Sequence, residues 1–167
     1  ELRAAIQAGV TINLESEGEA ARALGIGEIV GVTPRLAVRV NPDFDLKGSG
    51  MKMGGGAKPF GVDAERASAL ARSVIAAGAE WRGWHIFAGS QALDAAALME
   101  TQAATVALAA RLSDEVGATP PLVNIGGGFG VPYFPGDLPL DVKAIGLALE
   151  EVLTLPPDSL RGSAFAL

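Results

Sequence analysis

Apolar residues recur along this chain with a period of two, then of 3.6, then of two again. That alternation restricts the fold to a parallel sheet with crossover helices. Residues 10–14, 36–41, 81–88 and 122–125 read as strands. Residues 1–8 read as a helix stopped at Gly9. Ser16 and Glu19 form a capping box that opens a second helix, running to about Leu24. Residues 25–34 carry no clear period and suit a helical turn and a loop. Asp63 caps a helix with Ala67, Leu70, Ala71, Val74 and Ile75 on one face, ended by Gly78. Asp94 caps a third long helix, with Leu98, Thr101, Thr105, Leu108 and Leu112 on one side and Gly117 beyond its end. Asp141 caps a last one bearing Val142, Ile145, Leu149 and Val152. No linker interrupts the pattern, so residues 1–167 are read as one domain.

The strands themselves discriminate between two α/β architectures. Strands of an open sheet, covered on both faces, should be apolar throughout. Here each strand has one polar face. Thr11, Asn13 and Glu15 share a face opposite Ile12 and Leu14. Arg39 and Asn41 oppose Val38 and Val40, and His85 and Phe87 oppose Trp84 and Ile86. Asn124 lies between Val123 and Ile125. Polar groups gathered towards the strands' carboxyl ends suit the inside of a barrel at its mouth, where barrel sites lie. A complete (β/α)8 TIM barrel needs about 250 residues, and the chain has 167. The expected fold is α/β: a partial barrel of parallel strands with two open sheet edges.

Composition removes several kinds of chemistry. The chain has no cysteine and one histidine, His85, so thiolate catalysis, disulfides and zinc cages are excluded. A net charge of -6 argues against nucleic acid and anionic membranes as partners. No apolar run is long enough to span a bilayer and no signal peptide opens the chain, so a cytoplasmic location is expected.

Three segments carry candidate chemistry. The first is the strand running into Gly126, Gly127 and Gly128. Bare main-chain amides there can close on an anion such as a phosphate; a merely tight turn is the plainer reading. A dinucleotide fingerprint is excluded, because counting from Gly126 puts Val131 at its last glycine. The glycine-rich loop of a methyltransferase would look similar. The second segment ends a strand in Gly89 and Ser90, whose hydroxyl could join the same anion or belong to an ordinary turn. His85 and Phe87 on that strand are equally compatible with core positions. In the third, Arg39 on an inward face needs an anionic partner. Beyond it runs a loop with Lys47, Lys52, Lys58, Met51, Met53 and several glycines. Such a loop suits either simple solvation or closure over a site.

The order of these segments resembles the fold-type III pyridoxal-phosphate-dependent decarboxylases, which include the diaminopimelate, ornithine and arginine decarboxylases. The resembling residues are Arg39-Val40-Asn41-Pro42, Pro59-Phe60-Gly61-Val62, Gly89-Ser90-Gln91 and Gly126-Gly127-Gly128. The wording of residues 41–56 and of 85–91 is similar to one branch, the decarboxylases associated with exosortase systems.

The resemblance implies pyridoxal 5'-phosphate as cofactor, a small-molecule amino-acid substrate and a homodimer. It implies that Gly126, Gly127, Gly128 and Ser90 bind the cofactor phosphate. Phe87 stands where the family usually has a histidine stacked on the pyridine ring. Arg39 faces the cofactor, and His85 is a candidate for a polar or catalytic role. No lysine precedes Lys47, so the family's Schiff-base lysine is expected upstream of this chain. The glutamate that pairs with the pyridine nitrogen is expected on a strand after Leu167, followed by a C-terminal β domain. The chain is thus read as an internal piece of the barrel domain, unable to decarboxylate alone. A non-catalytic pyridoxal-phosphate-binding barrel protein and a methyltransferase stand as alternatives.

Overall fold

The computed structural model describes residues 1–48, 50–52 and 59–167, with only the backbone of Met51 and Lys52. Helix α1 (Leu2–Gln7) leads into strand β1 (Thr11–Leu14), helix α2 (Glu17–Val30) and strand β2 (Arg35–Asn41). Two-residue strands β3 (Met51–Lys52) and β4 (Val62–Asp63) precede helix α3 (Ala64–Ala76). Then come β5 (Glu80–Ile86), β6 (Gly89–Ser90), α4 (Ala95–Val116) and β7 (Leu122–Asn124). Helix α5 (Val142–Thr154), a 3-10 turn at Asp158–Leu160 and β8 (Ala164–Ala166) complete the chain.

The main sheet runs β1-β2-β5-β7-β8, with β4 also paired to β2, and every pairing is parallel. Spatial order follows chain order without a reversal. A doubly wound sheet reverses at its switch point; a barrel lays each strand beside the one before. The winding is therefore of barrel type, and the doubly wound sheet of a glycine-loop methyltransferase is set aside. The described strands do not close on themselves.

Four details differ from the sequence expectation. Helix α2 does not stop near Leu24 but continues to Val30, ending at left-handed Gly31. Gly27 looks like a breaker, but it serves packing: a Cβ there would lie 2.8 Å from the Val32 carbonyl oxygen and 2.9 Å from the Pro34 ring. A further parallel strand, β8, lies at residues 164–166, where the sequence pattern indicates none. Ala-Phe-Ala is too short to show a period, and pairing fixes it: Ile125 donates its N–H to the Ala166 carbonyl at 2.9 Å. Asp63 stands at the α3 N-cap but makes no capping bond, because its carboxylate accepts from Asn41 Nδ2 at 2.9 Å. The capping box is also shifted. Ser16 Oγ accepts from the Glu19 N–H, while the Glu19 carboxylate reaches past Ser16 to the Glu15 N–H at 2.7 Å.

The apolar strand faces form the core. Val38, Trp84 and Val123 are register partners across β2, β5 and β7, and all are buried. Trp84 lies under α4, where its Nε1–H donates to Ser113 Oγ at 2.9 Å. Arg82 is an extra residue opposite the Leu36–Ala37 step, a bulge that resets the alternation of β5. The reset lets Trp81 and Trp84, three residues apart, meet edge to face at 5.0 Å. Gly83 follows the bulge with φ +111°, and a Cβ there would sit 1.9 Å from the Leu122 carbonyl oxygen. Only glycine permits β5 and β7 to approach this closely.

Candidate functional site

The polar strand faces line up as one row. Arg39 partners His85 in register, and His85 partners Asn124. Leu14 pairs with Val38, which puts Glu15 beside Arg39 at the end of β1. The row Glu15, Arg39, His85, Asn124 therefore crosses the carboxyl ends of β1, β2, β5 and β7 on the face opposite the core.

Glu15 is the anion that Arg39 requires. Arg39 Nη1 donates to Glu15 Oε1 at 2.7 Å, with the two side chains 19% and 33% exposed. Glu15 Oε2 accepts from the Gly61 N–H at 3.1 Å, and the Arg39 guanidinium lies 5.2 Å from the centre of the Phe60 ring. One carboxylate thus ties β1, β2 and the approach to β4 together. Sequence reasoning places Glu15 on the right face but does not single it out; its distance of 24 positions from Arg39 hides the pair.

His85 is half-buried, and its Nδ1 is enclosed without a hydrogen-bond partner among the described residues. Desolvation lowers its pKa below the ordinary histidine value, the Arg39 charge lowers it further, and Glu15 offsets part of this. The ring is a neutral imidazole at neutral pH.

The two glycine-bearing loops meet at this rim. Ala92 donates its N–H to the Gly128 carbonyl at 2.9 Å, and Gly130 donates to the Ala92 carbonyl at 2.8 Å. Gly126 (φ +76°) and Gly128 (φ +92°) need to be glycine for packing as well as conformation. A Cβ on Gly126 would lie 2.8 Å from the Ile86 carbonyl oxygen and 2.9 Å from Phe87 Cδ2. On Gly128 it would lie 2.7 Å from the Gly89 carbonyl oxygen. Gly127 has neither constraint: its φ is not positive, and the nearest atom to its Cβ would be 3.8 Å away. The Gly126 N–H is taken by Asn124 Oδ1 at 2.9 Å, whereas the amides of Gly127 and Gly128 have no partner among the described residues.

Ser90 lies on the other loop, half-exposed. Its carbonyl accepts from the Gly50 N–H at 2.9 Å, and β6 pairs antiparallel with β3. The next residue, Gln91, has φ +58°, the one positive value at a non-glycine among the described residues. Strain of this kind collects at sites that the surrounding structure over-determines. Lys47 takes the plainer of its two readings: it is exposed and pairs with Glu100 at 3.2 Å. Lys58, Met53 and the glycines at 54–56 lie outside the described residues, as do the side chains of Met51 and Lys52.

A singly wound parallel sheet whose glycine-bearing loops meet at its carboxyl rim is the architecture of an α/β barrel domain. Residues 1–158 match the family described as the pyridoxal-dependent decarboxylase, pyridoxal binding domain, and the chain belongs to that family. Its cofactor is pyridoxal phosphate. An L-glutamyl-[BtrI acyl-carrier protein] decarboxylase of Niallia circulans is 33% identical over 147 residues, 87% of this chain and 34% of that protein. The diaminopimelate decarboxylase of Methanothermobacter thermautotrophicus is 33% identical over 146 residues, 85% of this chain and 33% of that one. The chain thus spans about a third of the length of the curated relatives it matches. Among solved structures, diaminopimelate decarboxylase from Helicobacter pylori complexed with L-lysine superposes with a TM-score of 0.82 at 22% identity, over 99% of this chain and 41% of that one. Lysine decarboxylase from Selenomonas ruminantium gives 0.73 at 27% identity, over 99% and 40%. The first of these shows the fold alone.

The residues present fit a phosphorylated pyridine. Two adjacent free amides and a hydroxyl suit the phosphate, Phe87 offers a ring to stack on, and the enclosed Nδ1 of His85 lacks a partner among the described residues.

Proposed function

We propose that this chain is the phosphate-holding part of the barrel domain of a pyridoxal-phosphate-dependent amino-acid decarboxylase, a carboxy-lyase. The observation that carries this reading is the pinning of the Gly128 main chain to Ala92, which sets the glycine loop against the Ser90 loop at the rim of the polar row. Gly127 and Gly128 give their amides to the phosphate and Ser90 its hydroxyl, while Gly126 shapes the turn. Phe87 stacks on the pyridine ring; it contributes area and no hydrogen bond. Arg39, oriented by Glu15 and Phe60, borders the ring. His85 offers a neutral imidazole between Arg39 and Asn124. When bound, the cofactor supplies an electron sink for the carbanion left as a substrate carboxylate departs as carbon dioxide. This chain's residues hold the cofactor in one orientation and keep an aromatic wall against water.

The covalent lysine and the acidic partner of the ring nitrogen come from outside residues 1–167 in this reading. Among the lysines whose side chains are described, Lys47 is paired at the surface and Lys143 is exposed on α5. Residues 1–167 then make up an incomplete barrel domain. The substrate is a small amino acid or a carrier-linked aminoacyl group, as the names of the two curated relatives suggest. Residues 41–56 and 85–91 support the exosortase-associated branch. A cytoplasmic homodimer completes the proposal. A non-catalytic cofactor-binding barrel is the less favoured reading, because the matched family is that of the decarboxylases.

The test is equilibrium binding of pyridoxal 5'-phosphate and of pyridoxal. The phosphorylated form should bind at least about tenfold more tightly, and Ser90→Ala should remove part of that difference. Equal affinity for the two forms would end the reading.

A further inference from the structure

Asn124 links the polar row to the glycine loop. Its backbone partners His85 in register, and its Oδ1 accepts the Gly126 N–H at 2.9 Å, a turn closed by a side chain two residues back. The rest of the loop is then almost fully committed. The Gly128 carbonyl accepts from Ala92, and the Gly130 N–H donates to Ala92. Gly126 and Gly128 have positive φ and Gly127 between them does not. Alternation of hand over successive residues is the backbone pattern that turns neighbouring N–H groups towards one anion. Gly126 is buried, while Gly127 and Gly128 are partly exposed.

We infer that Asn124 is a positioning residue of the anion cradle. It withdraws the Gly126 amide from the ligand and so confines phosphate binding to the amides that follow, at Gly127 and Gly128. The inference rests on the phosphate reading above and adds to it a division of labour among the three glycines. A neutral side-chain amide suits this position, because it fixes the turn as an acceptor without placing a negative charge beside the phosphate.

Two measurements on the protein test this. In the first, inorganic phosphate and then pyridoxal 5'-phosphate are titrated into isotopically labelled wild-type protein while the glycine amide resonances are followed. The Gly127 and Gly128 signals should shift downfield and Gly126 should shift least. A dominant shift at Gly126 overturns the inference, and this arm needs no variant to fold. In the second, affinities are read from quenching of Trp81 and Trp84 fluorescence. Asn124→Ala should weaken pyridoxal 5'-phosphate and inorganic phosphate in parallel by about tenfold, the worth of one charge-assisted hydrogen bond. Pyridoxal should be unaffected. Asn124→Ser keeps an acceptor at the same spacing and should bind within about twofold of wild type. If Ser90→Ala weakens the phosphorylated cofactor while Asn124→Ala does not, the role of Asn124 is wrong and the cradle stands. If wild type itself does not distinguish pyridoxal 5'-phosphate from pyridoxal, the cradle falls and the role of Asn124 falls with it. Equal weakening of all three ligands by Asn124→Ala marks a merely structural residue and also overturns the inference.

Discussion

The two faces of the same strands obey different physics. On the helix side, Val38, Trp84 and Val123 are each at most 1% exposed, and shape decides what fits. On the other side, Glu15, Arg39, His85 and Asn124 are partly exposed, and partner geometry decides. A core position has many neighbours sharing the load. Arg39 instead depends on one carboxylate and one ring, and the Gly126 amide on a single side-chain oxygen. Substitutions on the first face should therefore change stability and leave ligand specificity alone. Those on the second should cost less stability and change what binds.

The largest effect is expected where the sheet itself is at stake. Gly83→Ala drives a Cβ to within 1.9 Å of the Leu122 carbonyl oxygen at φ +111°. Neither backbone can yield without breaking the β5–β7 ladder. Destabilisation should exceed about 4 kcal/mol, read as loss of a cooperative urea transition. Retention of a wild-type transition would show that β5 and β7 do not pair at this point. Next comes Trp84→Ala, which empties a buried site beneath α4 and takes away the N–H that Ser113 Oγ accepts, leaving that hydroxyl only its bond to the Ala109 carbonyl. It should cost about 3–5 kcal/mol in urea unfolding, without changing the preference for phosphorylated over unphosphorylated pyridoxal.

How much of each face is legible in the sequence follows from the same contrast. Period-two alternation is a local signal, so both strand faces can be read from residues 11–15, 36–41 and 84–87. The identity of the polar partners cannot, because Glu15 meets Arg39 only after β1 and β2 have paired. Gly126 and Gly128 are legible as a turn after a strand, but the packing that demands glycine there comes from Ile86, Phe87 and Gly89, at the end of β5 and beyond it. For the same reason residues 25–34, with Gly25 and Gly27, read as a helical turn and a loop although α2 runs on to Val30. A glycine that admits a neighbouring chain looks, in sequence, like a glycine that breaks a helix. Strand β8 escapes the sequence because three residues carry no period and its pairing with β7 supplies all the signal.

On the polar face, Glu15→Gln keeps the shape and an acceptor for the Gly61 N–H but removes the charge opposite Arg39. The pair is only partly buried, so the loss should be about 1 kcal/mol in chemical denaturation. A second readout separates charge from packing. Glu15 raises the His85 pKa, against the lowering by desolvation and Arg39. Glu15→Gln should therefore move the imidazole titration further down, as followed on the His85 ring protons. An unchanged titration would mean that the carboxylate does not face this row.

The smallest effect concerns His85 itself, and its sign is fixed by linkage. Burial and Arg39 depress the folded-state pKa below the ordinary value of 6.5. Above pH 6.5 both folded and unfolded chains hold a neutral imidazole, and the full stability is present. As pH falls below that value, the unfolded chain takes up a proton that the folded one resists, so stability declines. The decline ends once pH has passed below the folded pKa. His85 is the chain's one histidine, and carboxylates titrate lower, so this window belongs to it. Urea midpoints of wild type should fall between about pH 7 and pH 5 more steeply than those of His85→Gln, by a modest margin because a half-buried ring is partly screened. Parallel profiles would show that the ring is solvated. The Nδ1, enclosed and without a partner among the described residues, would then no longer support the proposed polar role of His85.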